Sequence, residues 1–292
     1  MSLIQNLKLV HLPKSKTSNY SHLLLSVFVL LVAIFCLAPV LWQLLTSLKV
    51  NADISAVPNV YIPKRYTLAH YTELFTRRPF LNYIFNSALV SITSTVLCLA
   101  LGAPAAYALA RLRIWGEQVI LAGVLIVTLF PYILLFLGLL QVVQALHLGN
   151  NYLALIIPYT AINLPLTILV MRSFFQQLPR DLEDAAKVDG YNIQQILLQI
   201  VLPMTVPALV TTGILAFIFA WNEFIFALTF ITRESLKTIP VATAQLGSSS
   251  VFEIPYGAIA AATVLGTSPL VLLVLLFQRR IVQGLTAGAV KG

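Results

Sequence analysis

The stretch Leu178-Pro-Arg-Asp-Leu-Glu-Asp-Ala-Ala-Lys-Val-Asp-Gly190-Tyr-Asn-Ile-Gln-Gln-Ile-Leu-Leu-Gln-Ile-Val-Leu-Pro203 is the longest polar interruption in the second half of the chain. Pro179 suits the first turn of a helix, and Asp181, Glu183 and Asp184 place negative charge near the positive end of its dipole. Glu183 and Lys187 stand four apart in the order that favours an ion pair. Ala185 and Ala186 offer a smooth face for close approach, and Gly190 can take the left-handed conformation that ends a helix. Ile193, Ile196, Leu197, Ile200 and Val201 then recur at the spacing of one apolar helical face, with Gln194, Gln195 and Gln199 on other faces. Pro203 and Pro207 then mark entry to the next apolar run. The spacing predicts an amphipathic helix–turn–helix lying on a surface.

Outward from this elbow the chain is mostly oil. Six apolar runs, about Leu23–Leu45, Asn86–Ala110, Val119–Gln141, Tyr152–Met171, Val206–Phe230 and Gly257–Phe277, each approach the ~20 residues that cross ~30 Å of hydrocarbon as a helix. They are continuous rather than alternating, which favours helices over a barrel. Hydrophobic residues make up 59% of the 292 and charged residues 10%, a balance that a water-soluble fold of this size cannot hide. The first run is too long for a cleaved signal core, so it reads as a retained span. The expected fold is an all-α integral membrane protein with about six spans. Residues 1–22 form an N-terminal segment, 23–277 a transmembrane domain that includes the elbow at 178–203, and 278–292 a tail.

An even number of spans puts both termini on one side. The N-terminus, the turn after Ala110, the elbow region and the C-terminus carry eleven Lys and Arg, against seven on the opposite side, which places the termini and the elbow in the cytoplasm. The net charge of +8 is spread over short inter-span segments and forms no phosphate-binding stripe, so nucleic acid is not an expected partner. Cys36 and Cys98 both lie inside apolar runs and read as buried thiols. The four histidines are scattered without metal spacing, and no phosphate-cradling Gly-rich loop or nucleophile–base constellation is present. The chain is therefore not expected to be an enzyme or to bind a cofactor. Prolines 39, 104, 131, 158, 165 and 269 fall within or near spans, a pattern of kinked helices around a cavity.

The elbow resembles the EAA motif of the membrane subunits of bacterial ABC importers. Asp184-Ala185-Ala186, Gly190 after three residues, and Ile200-Val201-Leu202-Pro203 after nine more keep its spacing, with Asp184 in place of the usual Glu and Tyr191 in place of a small residue. Tyr66-Thr-Leu-Ala-His-Tyr-Thr-Glu-Leu-Phe75, Ala105-Ala-Tyr-Ala-Leu-Ala-Arg-Leu-Arg113, Trp221-Asn-Glu-Phe224, Lys237-Thr-Ile-Pro-Val241 and the ending Gly284-Leu-Thr-Ala-Gly-Ala-Val-Lys-Gly292 are similar to the MalG-like permeases of the carbohydrate-uptake subfamily. The resemblance implies the type I permease fold in a bacterial inner membrane. It implies three kinds of partner besides the bilayer: a second, MalF-like permease, two copies of a MalK-like ATPase that carries ATP and Mg, and an extracytoplasmic sugar-binding protein.

By the same resemblance Glu183, Asp184, Ala185, Ala186, Lys187, Asp189, Gly190, Leu202 and Pro203 dock the ATPase. Gly284, Leu285, Thr286, Gly288 and Lys291 of the tail reach the ATPase interface, for which a small, extended tail is suited. Trp221, Asn222 and Glu223, with Tyr132, Asn163 and Gln245 and more weakly Thr167 and Thr211, are candidates to line a sugar path, since sugars are held by polar groups and aromatic faces. Glu223 serves equally well as a hydrogen bond between spans. The cargo expected is a di- or oligosaccharide of the trehalose or maltose type. The alternatives are a polyol, glycerol phosphate or compatible solute. From other classes, an ion-coupled secondary transporter or a membrane-embedded enzyme would need more intramembrane acids or a catalytic cluster than Glu223 supplies.

Overall fold

A computed structural model describes residues 19–63, 65–112, 114–247 and 254–287. The chain order is α1 (Asn19–Ser47), α2 (Asn51–Ile54), α3 (Ala69–Arg77), α4 (Phe80–Arg111), α5 (Glu117–Leu129), α6 (Phe136–Ala145) and α7 (Leu153–Gln177). The elbow contributes α8 (Asp181–Val188), α9 (Ile193–Gln195) and α10 (Leu202–Met204), followed by α11 (Val206–Asn222), α12 (Ile225–Phe230), α13 (Ile239–Leu246) and α14 (Tyr256–Ala287). The only β pairing among the described residues is an isolated bridge between Lys49 and Tyr66.

Helix α4 sits at the centre. It packs along α7 and against α11, while α14 lies on α11, α1 on α14, and α5 on α7. Small and polar residues let the central pair approach closely: a Cβ on Gly102 would come within 2.6 Å of the Thr167 methyl. Beside it, Cys98 Sγ and Thr167 Oγ1 are 3.1 Å apart. Thr160 hydroxyl donates both to Ile156 O in its own helix and to Ser94 O of α4. Lipid gives no hydrophobic drive between helices, so tight van der Waals contact and shared hydrogen bonds must hold such a pair. Outward faces remain apolar, most fully on α1, whose span window has no buried residue.

Four helices, α1, α4, α7 and α14, are long and apolar enough to cross a membrane unbroken. The third and fifth spans differ from the expected continuous helices. At the third, α5 ends at Leu129, Phe130 is extended, Pro131 follows, and a 3₁₀ turn at Tyr132–Leu135 leads to α6 at 90° to α5. Proline supplies no amide and pushes its predecessor out of the helical region, so the chain turns there. The 13 residues of α5 reach only ~20 Å. At the fifth, Glu223 is extended and the helix resumes as α12. The second legs of the two broken spans meet: Phe136 of α6 stacks on Phe226 and Phe230 of α12, with ring centroids 6.0 and 6.3 Å apart. Proline is otherwise absorbed inside α1, α4, α7 and α14. Helix α14 runs ten residues beyond the expected end of the sixth span, so Gly284, Leu285 and Thr286 are helical and not extended. Gly288, Lys291 and the chain before residue 19 lie outside the described residues.

On the far side from the elbow, the start of α4 grips the loop before α13. Asn86 donates to Ser235 O and Lys237 O, each at 2.9 Å, and accepts from the Tyr152 hydroxyl at 2.7 Å. Ser87 Oγ caps α13 by accepting from Ile239 N at 2.9 Å. Glu234 takes hydrogen bonds from Tyr83 and Lys237.

Candidate coupling site

The elbow forms as its residues dictate. Helix α8 begins at Asp181, two residues after Pro179, so that proline precedes the helix and does not occupy its first turn. Asp181, Glu183 and Asp184 fill that turn as expected. The helix closes in a Schellman motif: Tyr191 N donates to Ala186 O at 2.9 Å, Gly190 N to Lys187 O at 3.1 Å, and Gly190 has φ 85°. The second arm opens with a capping box that pairs Asn192 and Gln195 in both directions.

That arm departs from the α-helical spacing expected for it, because Ile196–Val201 is a π-helical turn. Pro203 has no amide for the carbonyl four residues back and its ring crowds it, and a widened turn relieves both problems. The buried face is consequently Ile196, Leu197 and Val201, while Ile193 points outward. Pro203 is exposed and Leu202 half-buried at the bend into α11.

The two acidic residues side by side in α8 have opposite fates. Asp184 is exposed and pairs with Lys187 at 2.8 Å, and that hydrogen bond holds its carboxyl below the usual carboxylate range. The expected Glu183–Lys187 pair is not made. Glu183 faces inward, only 6% exposed, because position 183 lies on the same side of α8 as Ala186, and both meet the bundle. Its Oε2 accepts from the Tyr107 hydroxyl at 2.9 Å, and its Oε1 lies 2.9 Å from Arg111 Nε. The Arg111 contact has the geometry of a close ion pair rather than an aligned hydrogen bond. Arg111 also donates through Nη2 to Leu178 O at 2.6 Å, capping the end of α7.

A second arginine mirrors the first. Arg172 of α7 donates to Leu109 O near the end of α4 at 3.1 Å and pairs with Glu117 of α5 at 2.7 Å. The last carbonyls of a helix have no intrahelical partner, and a guanidinium satisfies them while complementing the dipole. Each arginine therefore caps the other's helix. An apolar cluster of Ala103, Ala106, Tyr107, Met171, Phe175 and Val201, among others, lies directly beneath. Tyr107, Arg111, Glu117 and Arg172 as a network were missed from sequence, although Tyr107 and Arg111 fall in the Ala105–Arg113 stretch already singled out.

What α8 shows outward is Leu182, Asp184, Ala185, Lys187, Val188 and Asp189, then Gly190 and Tyr191. Val188 is 88% exposed, a bare apolar side chain among charges at the tip of the elbow. Ala186, expected on this outer face, is buried.

The path candidates separate. Glu223 is buried and its carboxylate accepts from Tyr159 Oη at 2.5 Å and from Phe226 N and Ala227 N at 3.0 and 3.2 Å. It caps the restart at α12 and joins it to α7, the second of the two uses that its position allowed. Asn163 is buried and donates to Tyr159 O. Tyr132 packs edge-on against Phe219 and Phe226. Trp221 and Asn222 border a cavity of about 300 Å³ shared with Pro240, Thr243, Thr263 and Thr267. Trp221 Nε1 donates across it to Gly266 O at 2.9 Å, and Thr243 Oγ1 is buried with no hydrogen-bond partner among the described residues. Gln245 is half-buried on α13 and does not line this cavity. Among the described residues no cluster of His, Cys, Asp and Glu can hold a metal ion.

The model for the binding-protein-dependent transport system inner membrane component matches residues 98–287. The chain belongs to this family of permeases. Among relatives of this permease, the sulfoquinovosyl glycerol transport system permease SmoH of Agrobacterium fabrum is 42% identical over 256 residues, covering 88% of this chain and 89% of the relative. The trehalose transport system permease SugB of Mycobacterium tuberculosis is 41% identical over 262 residues, covering 90% and 95%. A bacterial ABC transporter that imports the polysaccharide alginate contains a chain of the same fold, with a TM-score of 0.77 at 23% identity, covering 91% of this permease and 98% of that chain. The expected carbohydrate-uptake ABC permease family is thus the one found. The permease is a transport subunit and not an enzyme, since ATP hydrolysis in this family falls to a separate subunit.

Proposed function

We propose that this permease forms half of the membrane channel of an ATP-driven sugar importer and that the outer face of α8 is the surface an ATPase subunit grips. The observation that carries the reading is the elbow itself: an exposed set of Leu182, Asp184, Ala185, Lys187, Val188, Asp189, Gly190 and Tyr191 on a helix whose opposite face is locked to the bundle. A short helix with an apolar tip and flanking charges suits recognition in a groove. A second, MalF-like permease completes the channel, two MalK-like ATPase subunits bind ATP and Mg, and an extracytoplasmic binding protein delivers the sugar. Both termini and the elbow lie in the cytoplasm, in keeping with the distribution of Lys and Arg. Nucleotide state and cavity orientation then bias one another, which is allosteric coupling between two sites.

The cargo is a di- or oligosaccharide or a related glycoside. Relatives named for trehalose and for sulfoquinovosyl glycerol both support a glycoside, and the second favours a polyol-linked sugar as the alternative. The test is to purify the permease from its native membrane through an affinity tag and to assay uptake in vesicles. Co-purification of an ATPase and ATP-dependent accumulation of a labelled glycoside are expected. A permease that arrives without an ATPase, or uptake that needs only an ion gradient, would overturn the reading in favour of a secondary transporter.

A further inference from the structure

We infer that Glu183 and Arg111 act as one positioning unit that transmits movement of the elbow into α4, and that Glu183 is not part of the surface the ATPase touches. The inference rests on the function proposed above and deepens it by naming the transmitting contact.

Glu183 and Arg111 belong to different elements, α8 and α4, yet their side chains are 8% and 5% exposed and 2.9 Å apart. Burying both members of an ion pair is costly unless the geometry and the surrounding hydrogen bonds compensate, so such a pair is weak evidence for stability alone. A hydrophobic contact would hold α8 on the bundle with less desolvation, as Ala186 already does beside it. What an ion pair adds is direction. The carboxylate is held from two points of α4 one turn apart, by the Tyr107 hydroxyl and by Arg111. Arg111 in turn is fixed on Leu178 O, the C-cap carbonyl of α7 where the elbow begins. Tyr107 is braced by Phe175 of α7, with rings edge-on at 6.0 Å. Helix α8 therefore cannot tilt or slide without carrying the inner end of α4 with it. Among the described residues the apolar face of α9 to α10 has no comparable polar fastening to the bundle, so the directed link runs through α8.

The experiment uses the complete transporter in proteoliposomes. It measures sugar moved per ATP hydrolysed for the unaltered permease, Glu183→Gln, Arg111→Gln and the double variant. Each single variant is expected to retain stoichiometric ATPase in the purified complex while the ratio falls about tenfold. The double variant is expected to be no worse than either single one, because partners in one contact do not add. A purely structural role predicts less complex, with uptake and hydrolysis falling together and the ratio unchanged; that result overturns the inference. So does a ratio at the unaltered value in both single variants, or losses that multiply in the double variant. Should Glu183→Gln lose the ATPase from the complex, Glu183 is part of the docking surface and the inference fails. Should the unaltered permease carry no ATPase, the function proposed above fails first, and the inference fails with it.

Discussion

At Gly190 a single backbone angle decides whether α8 can stop where it does. The residue has φ 85°, and a Cβ placed there meets nothing within 4 Å, so the constraint is conformational and not steric. A β-branched residue in that region is a genuine outlier, costing about 1–2 kcal/mol. Gly190→Val is expected to leave the amount of permease in the membrane near normal while lowering uptake severalfold. Gly190→Asn should recover most of the loss, since Asn tolerates the left-handed region. Uptake against immunoblotted membrane content checks both, and normal uptake in Gly190→Val would show that the closure of α8 is dispensable. This glycine was legible in the sequence because its signal is local, a helix pattern followed by the one residue free of Cβ strain. The partner of Glu183 was not. Helical spacing offered Lys187, and only the fold brings in Arg111 from 72 positions upstream. Sequence spacing ranks neighbours on one helix; it cannot say which face of that helix is turned to another.

At the scale of elements, the clamp between α4 and the loop before α13 is sensitive to acid. Burial pushes the Glu234 carboxyl up, but hydrogen bonds from Lys237 and Tyr83 and the charges of Lys237 and Arg78 outweigh it and hold the group below the usual carboxylate range. A carboxyl lowered in the folded state stabilises it above the unfolded pKa and loses that contribution as pH falls through the folded value. The clamp is thus intact at neutral pH and weakens as pH falls through and below the usual carboxylate range. Cleavage by a protease at residue 233 or 237 is expected to be slow at neutral pH and faster in acid for the unaltered protein, and already fast at neutral pH in Glu234→Gln, with the difference vanishing in acid. Equal cleavage rates in the two proteins at neutral pH would refute the clamp. The long helices were readable from hydropathy alone, because an apolar run of ~20 residues has few other folds open to it in lipid. The breaks were not. Pro131 turns its span by 90°, whereas Pro104, Pro158 and Pro165 stay inside helices. The difference lies in what surrounds them: α4 and α7 brace one another along their length, while the chain after Pro131 finds the aromatic stack with α12.

At the scale of the whole molecule, the elbow and the clamp lie at opposite ends of α4, the clamp at Tyr83 to Ser87 and the elbow contact at Tyr107 and Arg111. A span of α4's 32 residues is ~48 Å long, enough to put these two ends on opposite sides of a bilayer. Single cysteines at Val188 and at Arg78, in a permease with Cys36 and Cys98 replaced by serine or alanine, should label oppositely. A membrane-impermeant maleimide added to intact cells is expected to reach position 78 and not 188, and the reverse in inverted vesicles. Labelling of position 188 from outside would place the elbow beyond reach of any cytoplasmic ATPase. The fold class and the elbow were thus available from pattern and resemblance, whereas the elbow's anchorage was written in tertiary packing alone.

The crossed guanidinium caps of Arg111 and Arg172 also settle where the bundle has compliance. With the elbow-side ends of α4, α5 and α7 tied to one another and to α8, any torque applied at the tip would enter them as a single stiff block. Give must then appear where the amide ladder is already open, at Phe130–Pro131 and at Glu223–Phe224. Beyond those two joints lie the parallel rings of Phe136, Phe226 and Phe230, whose flat faces can shear past one another with little change in buried area.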